Sequence, residues 1–129
     1  MPLVTFYFQL HQPFRLHPSR EKFLWDEVNR ESFLRLSERC YLPALSMFTE
    51  VLRNHTSFRM TLGLSGTFLE QAELYGPEVI DALRRLLDTG AGTNQIECLD
   101  ETYYHSLVSL FSDPQKQEFR GQVSLHREK

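Results

Sequence analysis

The run Leu3-Val4-Thr5-Phe6-Tyr7-Phe8-Gln9-Leu10 does most to limit what this chain can fold into. It is β-branched and aromatic with little clean alternation. That is the pattern of a strand covered on both faces, as strands of parallel sheets are. It ends abruptly in His11-Gln12-Pro13: an imidazole, an amide, and a ring that stops the strand. If the run is a strand of an α/β barrel, the tripeptide sits at its carboxyl end, where barrel enzymes keep their chemistry.

Two further stretches repeat this arrangement. Ser57 to Leu64 alternates, with Phe58, Met60, Leu62 and Leu64 on one side and Arg59 and Thr61 on the other. It ends at Ser65-Gly66. Gln95 to Leu99 is short and apolar around Glu97, and the polar and aromatic residues Asp100 to His105 follow it. Three strand ends with polar residues point to one shared site.

Helical patterns fill the intervals. Glu27 to Arg39 carries Phe33 and Leu36, with Cys40 four residues on. Pro43 suits the first turn of a second helix lined by Leu45, Phe48 and Leu52 and closed by Asn54-His55. Thr67 to Tyr75 reads as a short helix broken by Gly76-Pro77. Pro77 opens another, with Val79, Ile80, Leu83, Leu86 and Leu87 as its stripe and Gly90 free to take the left-handed cap. Asp113-Pro114 predicts a cap and first turn for a last helix with Phe119, Val123 and His126 on one face, running up to Lys129. His11 to Arg20 holds two prolines and reads as a loop long enough to be functional. Asp100 to Phe111 matches no single element.

Strands alternating with helices imply an α/β fold with a parallel sheet and right-handed crossovers. Three strands neither close a barrel nor cover an open sheet, and their edges would stay exposed. Residues 1–129 therefore read as the first part of one larger α/β domain.

Composition narrows the partners. A net charge of −3, with no basic block, argues against nucleic acid, whose phosphates need concentrated positive charge. No apolar run is long enough to span a membrane, and the amino terminus lacks the pattern of a signal peptide. Cys40 and Cys98 fit no metal spacing. Two lone thiols without a signal peptide suit a reducing cytoplasm.

Four stretches carry a resemblance. They are Phe6-Tyr7-Phe8-Gln9-Leu10-His11-Gln12-Pro13, Cys40-Tyr41-Leu42-Pro43, Leu64-Ser65-Gly66, and Glu101-Thr102-Tyr103-Tyr104-His105-Ser106-Leu107. In that order and spacing they resemble the amino-terminal part of glycoside hydrolase family 57, in its α-amylase-like branch. The His-Gln-Pro is similar to that family's first signature region, and the Glu97 strand with Tyr-Tyr-His to its second. The resemblance implies a distorted (β/α)7 barrel and a retaining α-glucan hydrolase or 4-α-glucanotransferase, with no cofactor. Such enzymes use two carboxyl groups about 5–5.5 Å apart, one as nucleophile and one as acid/base. In this family the nucleophile is a glutamate and the acid/base an aspartate, both in signature regions beyond Lys129. No residue here matches either, so this chain would supply no catalytic carboxyl. It would supply substrate-binding residues: His11, Gln12, Glu97 and His105. One departure is Ala91-Gly92-Thr93-Asn94, which looks like a small insertion before the third strand and puts the pairing of Glu97 in doubt.

Each of these residues also has a plainer role open to it. His11 offers a sugar hydroxyl one donor and one acceptor, or locks the loop before Pro13. Gln12 has the same polar reach. Glu97, inside an apolar strand, needs a partner: sugar hydroxyls, or Arg59 on the neighbouring strand. His105 follows two tyrosines suited to sugar faces, or caps a packed segment. Asp100 and Glu101 could be solvated loop charges, and His17, His55 and His126 read as surface residues. Metal is the competing chemistry. His11, Glu97, Asp100 and His105 together form a zinc-like donor set, as in a metal-dependent polysaccharide deacetylase, but no His-x-x-x-His pair occurs. Gly90-Ala91-Gly92 precedes a strand and not a helix, so it is a poor phosphate loop. A non-catalytic module that binds glycan or protein is the other alternative.

Overall fold

The computed structural model describes residues 4–19 and 21–129. Leu3 and Arg20, assigned above to the first strand and the loop after it, lie outside the described residues. Strands β1 (Phe6–Leu10), β2 (Met60–Leu64) and β3 (Ile96–Leu99) form a parallel sheet in the order β1-β2-β3. Their shared register pairs Phe6 with Met60 and Met60 with Ile96, and ends at Leu10 opposite Leu64.

Side chains alternate across a strand, so this register sorts the residues into two faces. Phe8, Leu10, Met60, Leu62, Leu64 and Ile96 face the helices, against a buried cluster that includes Phe33, Leu45, Leu52, Phe68, Val79 and Leu86. Each large side chain buried there contributes about 1.5–3 kcal/mol. The other face carries Tyr7, Gln9, Thr61, Gly63, Glu97 and Leu99. Helices were expected on both faces of β1. Only one is covered among the described residues, and Tyr7 stays 51% exposed. The aromatic weight of the run comes from packing on that single side, where Phe8 meets Phe48 at 4.5 Å between ring centres.

Helices α1 (Asp26–Leu36) and α2 (Leu42–Asn54) are joined without a loop by a π turn at Ser37–Tyr41. Pro43 has no N–H, so the Arg39 carbonyl lacks its α-helical partner. The chain widens instead, with the Leu42 N–H donating to the Ser37 carbonyl. The first helix therefore ends at Leu36, short of Arg39. Helices α3 (Gly66–Tyr75) and α4 (Pro77–Ala91) follow β2 and meet at Gly76-Pro77, as the sequence predicts.

Gly90 does not take a left-handed cap. It lies inside α4, where a Cβ would come within 2.8 Å of the Ile96 side chain. Its value is close helix-to-strand approach, and Asn94 (φ 52°) makes the left-handed turn into β3. Buried Gln95 then ties the end of α2 to the start of β2, its Nε2 donating to the carbonyls of Leu52, His55 and Phe58 at 3.2, 2.9 and 3.2 Å.

Helix α5 (Gln117–Glu128) starts later than Asp113-Pro114 implies. Asp113 still accepts from the backbone N–H of Gln115 and Gln117, but a left-handed Lys116 (φ 52°) intervenes and leaves Pro114 in the preceding turn. The helix is tied to the carboxyl end of the sheet. His126 Nε2 donates to the Leu64 carbonyl at 2.6 Å, Arg127 meets Asp100 at 2.6 Å, and Ser106 donates to Gln122 at 2.9 Å. His126 is thus a half-buried strut and not a surface residue.

Replacing Gln95 with Leu keeps the bulk and removes those three hydrogen-bond contacts. The expected cost is about 1–3 kcal/mol, read as a lower urea midpoint with an unchanged slope.

Candidate functional site

The polar groups converge at the carboxyl end of the sheet. Ser65, fully buried, follows β2 and caps α3: its Oγ accepts from the Phe68 N–H at 3.3 Å. Its own N–H donates to the Leu10 carbonyl at 3.1 Å, which holds the end of β1 beside it. His11 directly follows β1 and its Nδ1 lies 2.8 Å from Ser65 Oγ. The His11 and His105 rings sit 4.6 Å apart, inclined at 36°.

His105 reaches this position from a tight turn. Its backbone is left-handed (φ 52°), its N–H donates to the Thr102 carbonyl at 2.8 Å, and the Ser106 N–H donates to the Thr102 hydroxyl at 2.8 Å. Tyr103 in that turn is buried over Gly66, its hydroxyl donating to Glu70 at 2.6 Å. Burial, and then the Glu70 carboxylate, raise the Tyr103 phenol above its ordinary range. Only Tyr104 of the two tyrosines presents an exposed ring.

Glu101 completes the cluster. Its side chain is 13% exposed, Gln9 Nε2 donates to both of its oxygens at 2.9 Å, and His105 Nδ1 lies 3.4 Å away. Tyr7 hydrogen-bonds to Gln9 in turn, so the polar face of β1 leads to this carboxylate. The arrangement offers two imidazoles, one held carboxylate and one open aromatic face. Those groups can hydrogen-bond and stack on a polyhydroxylated ligand.

The four predicted residues fare differently. His11 and His105 meet. Gln12 is buried elsewhere: its Oε1 accepts from the Tyr41 hydroxyl at 3.1 Å and its carbonyl from Gln71 at 2.7 Å. The Tyr41 phenol is pushed up to about 12, first by burial and then by Cys40, with Arg15 opposing. Glu97 is exposed, not buried, and shares a row with Thr61 and Tyr7, well before the strand ends. Arg59 does not pair with it; its guanidinium donates to the Thr56 and Phe58 carbonyls. Glu97 instead lines a groove of about 540 Å³ with Thr5, Arg59 and Asn94 at the amino-terminal end of the sheet. This concavity lies apart from the linked polar groups, which are at the other end of the sheet.

Glu101, Gln9 and His126 join these contacts and were not singled out as site residues, and Ser65 was read only as a polar strand end. The alternation of β1 puts Gln9 on the polar face, and that signal could have found it. The proposed metal set does not assemble. Asp100 turns out to Arg127, Glu97 lies down the strand, and among the described residues no three His, Cys, Asp or Glu side chains are placed to hold an ion.

Two measurements check this geometry. A Cβ at Gly66 would overlap the Tyr103 ring. Gly66→Ala is expected to displace the His105 turn and to lower stability by about 1–3 kcal/mol, seen in thermal unfolding and near-ultraviolet circular dichroism. The second concerns pH. His11 is held below its ordinary value of 6.5, first by burial and then by the His105 ring, with Glu101 opposing. Above 6.5 both folded and unfolded chains are neutral there. As pH falls through 6.5 the unfolded chain takes the proton first, so stability drops in that window and levels off once the folded His11 also protonates. His11→Gln should remove that part of the pH dependence of the urea midpoint.

Comparison with known proteins agrees with these features. Residues 5–129 match Glycosyl hydrolase family 57. A Methanocaldococcus jannaschii protein named "Putative alpha-amylase" is 32% identical over 133 residues, covering 97% of this chain and 27% of its own length. The chain thus spans about a quarter of that relative. The crystal structure of 4-alpha-glucanotransferase from Thermococcus litoralis shares the fold, with a TM-score of 0.60 at 23% identity, over 97% of this chain and 17% of that one. With the strand-end motifs in place and the match running nearly end to end, the chain belongs to glycosyl hydrolase family 57.

Proposed function

We propose that these 129 residues are the amino-terminal part of a (β/α)7 barrel in a retaining α-glucan hydrolase or 4-α-glucanotransferase, and that they form one wall of its substrate cleft. The observation that carries this reading is the meeting of His11, His105 and Glu101 where β1 and β3 end, from segments over ninety residues apart in sequence. Barrel enzymes of this architecture bind substrate at that end. His11 and His105 contact sugar hydroxyls, and Glu101 orients His105. Gln12 holds the loop that carries His11, and Glu97 sits on the polar sheet face that a closed barrel would enclose. The nucleophile and the acid/base come from elsewhere in the barrel. The named activities of the relatives support the substrate class.

A cytoplasmic setting accords with two free, exposed thiols. Among the described residues no helix is long and apolar enough to cross a membrane.

The test is a titration of the isotope-labelled chain with maltoheptaose, followed by amide and imidazole shifts. Changes clustered at His11, Tyr104 and His105 are expected. Changes confined to the groove around Glu97, or none at millimolar sugar, would overturn the assignment. The 129 residues alone should release no reducing sugar from maltoheptaose. In a longer polypeptide that carries this chain and hydrolyses or transfers α-glucans, His11→Ala should lower kcat/KM about 10-fold, the worth of one hydrogen bond of about 1.4 kcal/mol.

A further inference from the structure

We propose that the Ser65 hydroxyl fixes His11 as its Nε2–H tautomer, so that His11 presents a hydrogen-bond donor at the strand ends. The argument is a count of protons around one oxygen. Ser65 Oγ lies within hydrogen-bond distance of three groups: His11 Nδ1 at 2.8 Å, the Thr67 hydroxyl at 3.2 Å and the Phe68 N–H at 3.3 Å. A serine hydroxyl has one proton to give and two lone pairs to accept with. The Phe68 N–H can only donate; it shares its proton between the Ser65 carbonyl at 3.1 Å and this oxygen, and so draws on the first lone pair.

Thr67 decides the second. Its side chain is buried, and among the described residues Ser65 Oγ is the partner within reach of its hydroxyl. A buried hydroxyl that fails to donate leaves an unsatisfied proton, so Thr67 donates to Ser65. Both lone pairs of Ser65 are then occupied. Its own proton has one remaining destination, His11 Nδ1, which must be bare to accept it. The opposite arrangement, with Nδ1–H donating to Ser65 and Ser65 to Thr67, strands the Thr67 proton.

The imidazole proton of His11 is therefore on Nε2, which makes no hydrogen bond among the described residues. Burial and the adjoining His105 ring favour the neutral ring, which keeps Nδ1 available as acceptor. A neutral N–H suits an uncharged oxygen acceptor: a sugar hydroxyl, ring oxygen or glycosidic oxygen. Ser65 is thus a positioning residue that acts through His11. This inference deepens the glucan reading above, but the tautomer is measured without ligand. Its failure would leave sugar binding untouched, and failure to bind sugar would leave the tautomer untouched.

The experiment is a long-range ¹H–¹⁵N correlation on the labelled 129-residue chain near neutral pH, which shows the ring nitrogen that carries the proton. The wild-type chain is expected to show His11 with Nε2 protonated and Nδ1 bare. Thr67→Val frees a lone pair on Ser65 and should turn one tautomer into a mixture. Ser65→Ala should do the same, and Ser65→Thr should restore the single form. Because Ser65 also caps α3, its alanine variant could unfold; the wild-type spectrum and Thr67→Val decide the matter without it. A protonated Nδ1 in the wild-type chain would overturn the proposal, as would a Thr67→Val spectrum identical to wild type.

Discussion

Three consecutive residues at the end of β2 hold the candidate site together. The Leu64 carbonyl receives His126 from α5. Ser65 binds β1 through its backbone, His11 through its side chain, and the first turn of α3 through the Phe68 N–H. Gly66 leaves room for the Tyr103 ring, which seats the turn carrying His105. Because β2 is the central strand, with a hydrogen-bonded neighbour on each side, this junction is held from both sides. The two histidines have a fixed separation for that reason, although one follows β1 and the other lies in a loop.

The polar face of the sheet extends this logic inward. Tyr7, Gln9 and Glu101 form a linked series, and Gln9 Nε2 reaches both oxygens of one carboxylate. A carboxylate gripped this way cannot rotate freely, so His105 meets an oriented oxygen instead of a mobile charge. The opposite face is conventional, with aromatic and aliphatic side chains against four helices. One strand therefore serves two purposes through its period of two.

Much of this was legible in the residues, for physical reasons that differ by position. Met60, Leu62 and Leu64 were readable because alternation and burial coincide on β2. The Gly76-Pro77 break was readable because proline cannot continue a helix. The meeting of polar residues at the strand ends followed from parallel topology. The exposure of Glu97 was not legible because an acid in an apolar run looks buried, when one face of that run is open. The anchoring contacts of Gln12 were not legible because a polar residue beside a candidate site is indistinguishable, in one dimension, from a buried anchor; its partners Tyr41 and Gln71 lie far away in sequence. Gly90 illustrates a different limit. A glycine after a helical stripe suggests a cap, and only the packing of Ile96 explains why the helix continues through it.

The π turn at Ser37–Tyr41 has a consequence for how this region tolerates change. Each α-helical residue advances the chain by about 100°, so the extra residue of a π turn sets the angular phase of everything after it. Phe33 before the turn and Tyr41, Leu45 and Leu52 at or after it all point into the same interior. Pro43 would keep the turn wide after a one-residue deletion from Ser37–Tyr41, so α2 would swing by about a quarter turn. Leu45 and Leu52 would leave the core, and Tyr41 would lose the amide that anchors the His11 loop. Length here works like the tooth count of a gear: the residue types can drift, but the number between Phe33 and Leu45 cannot.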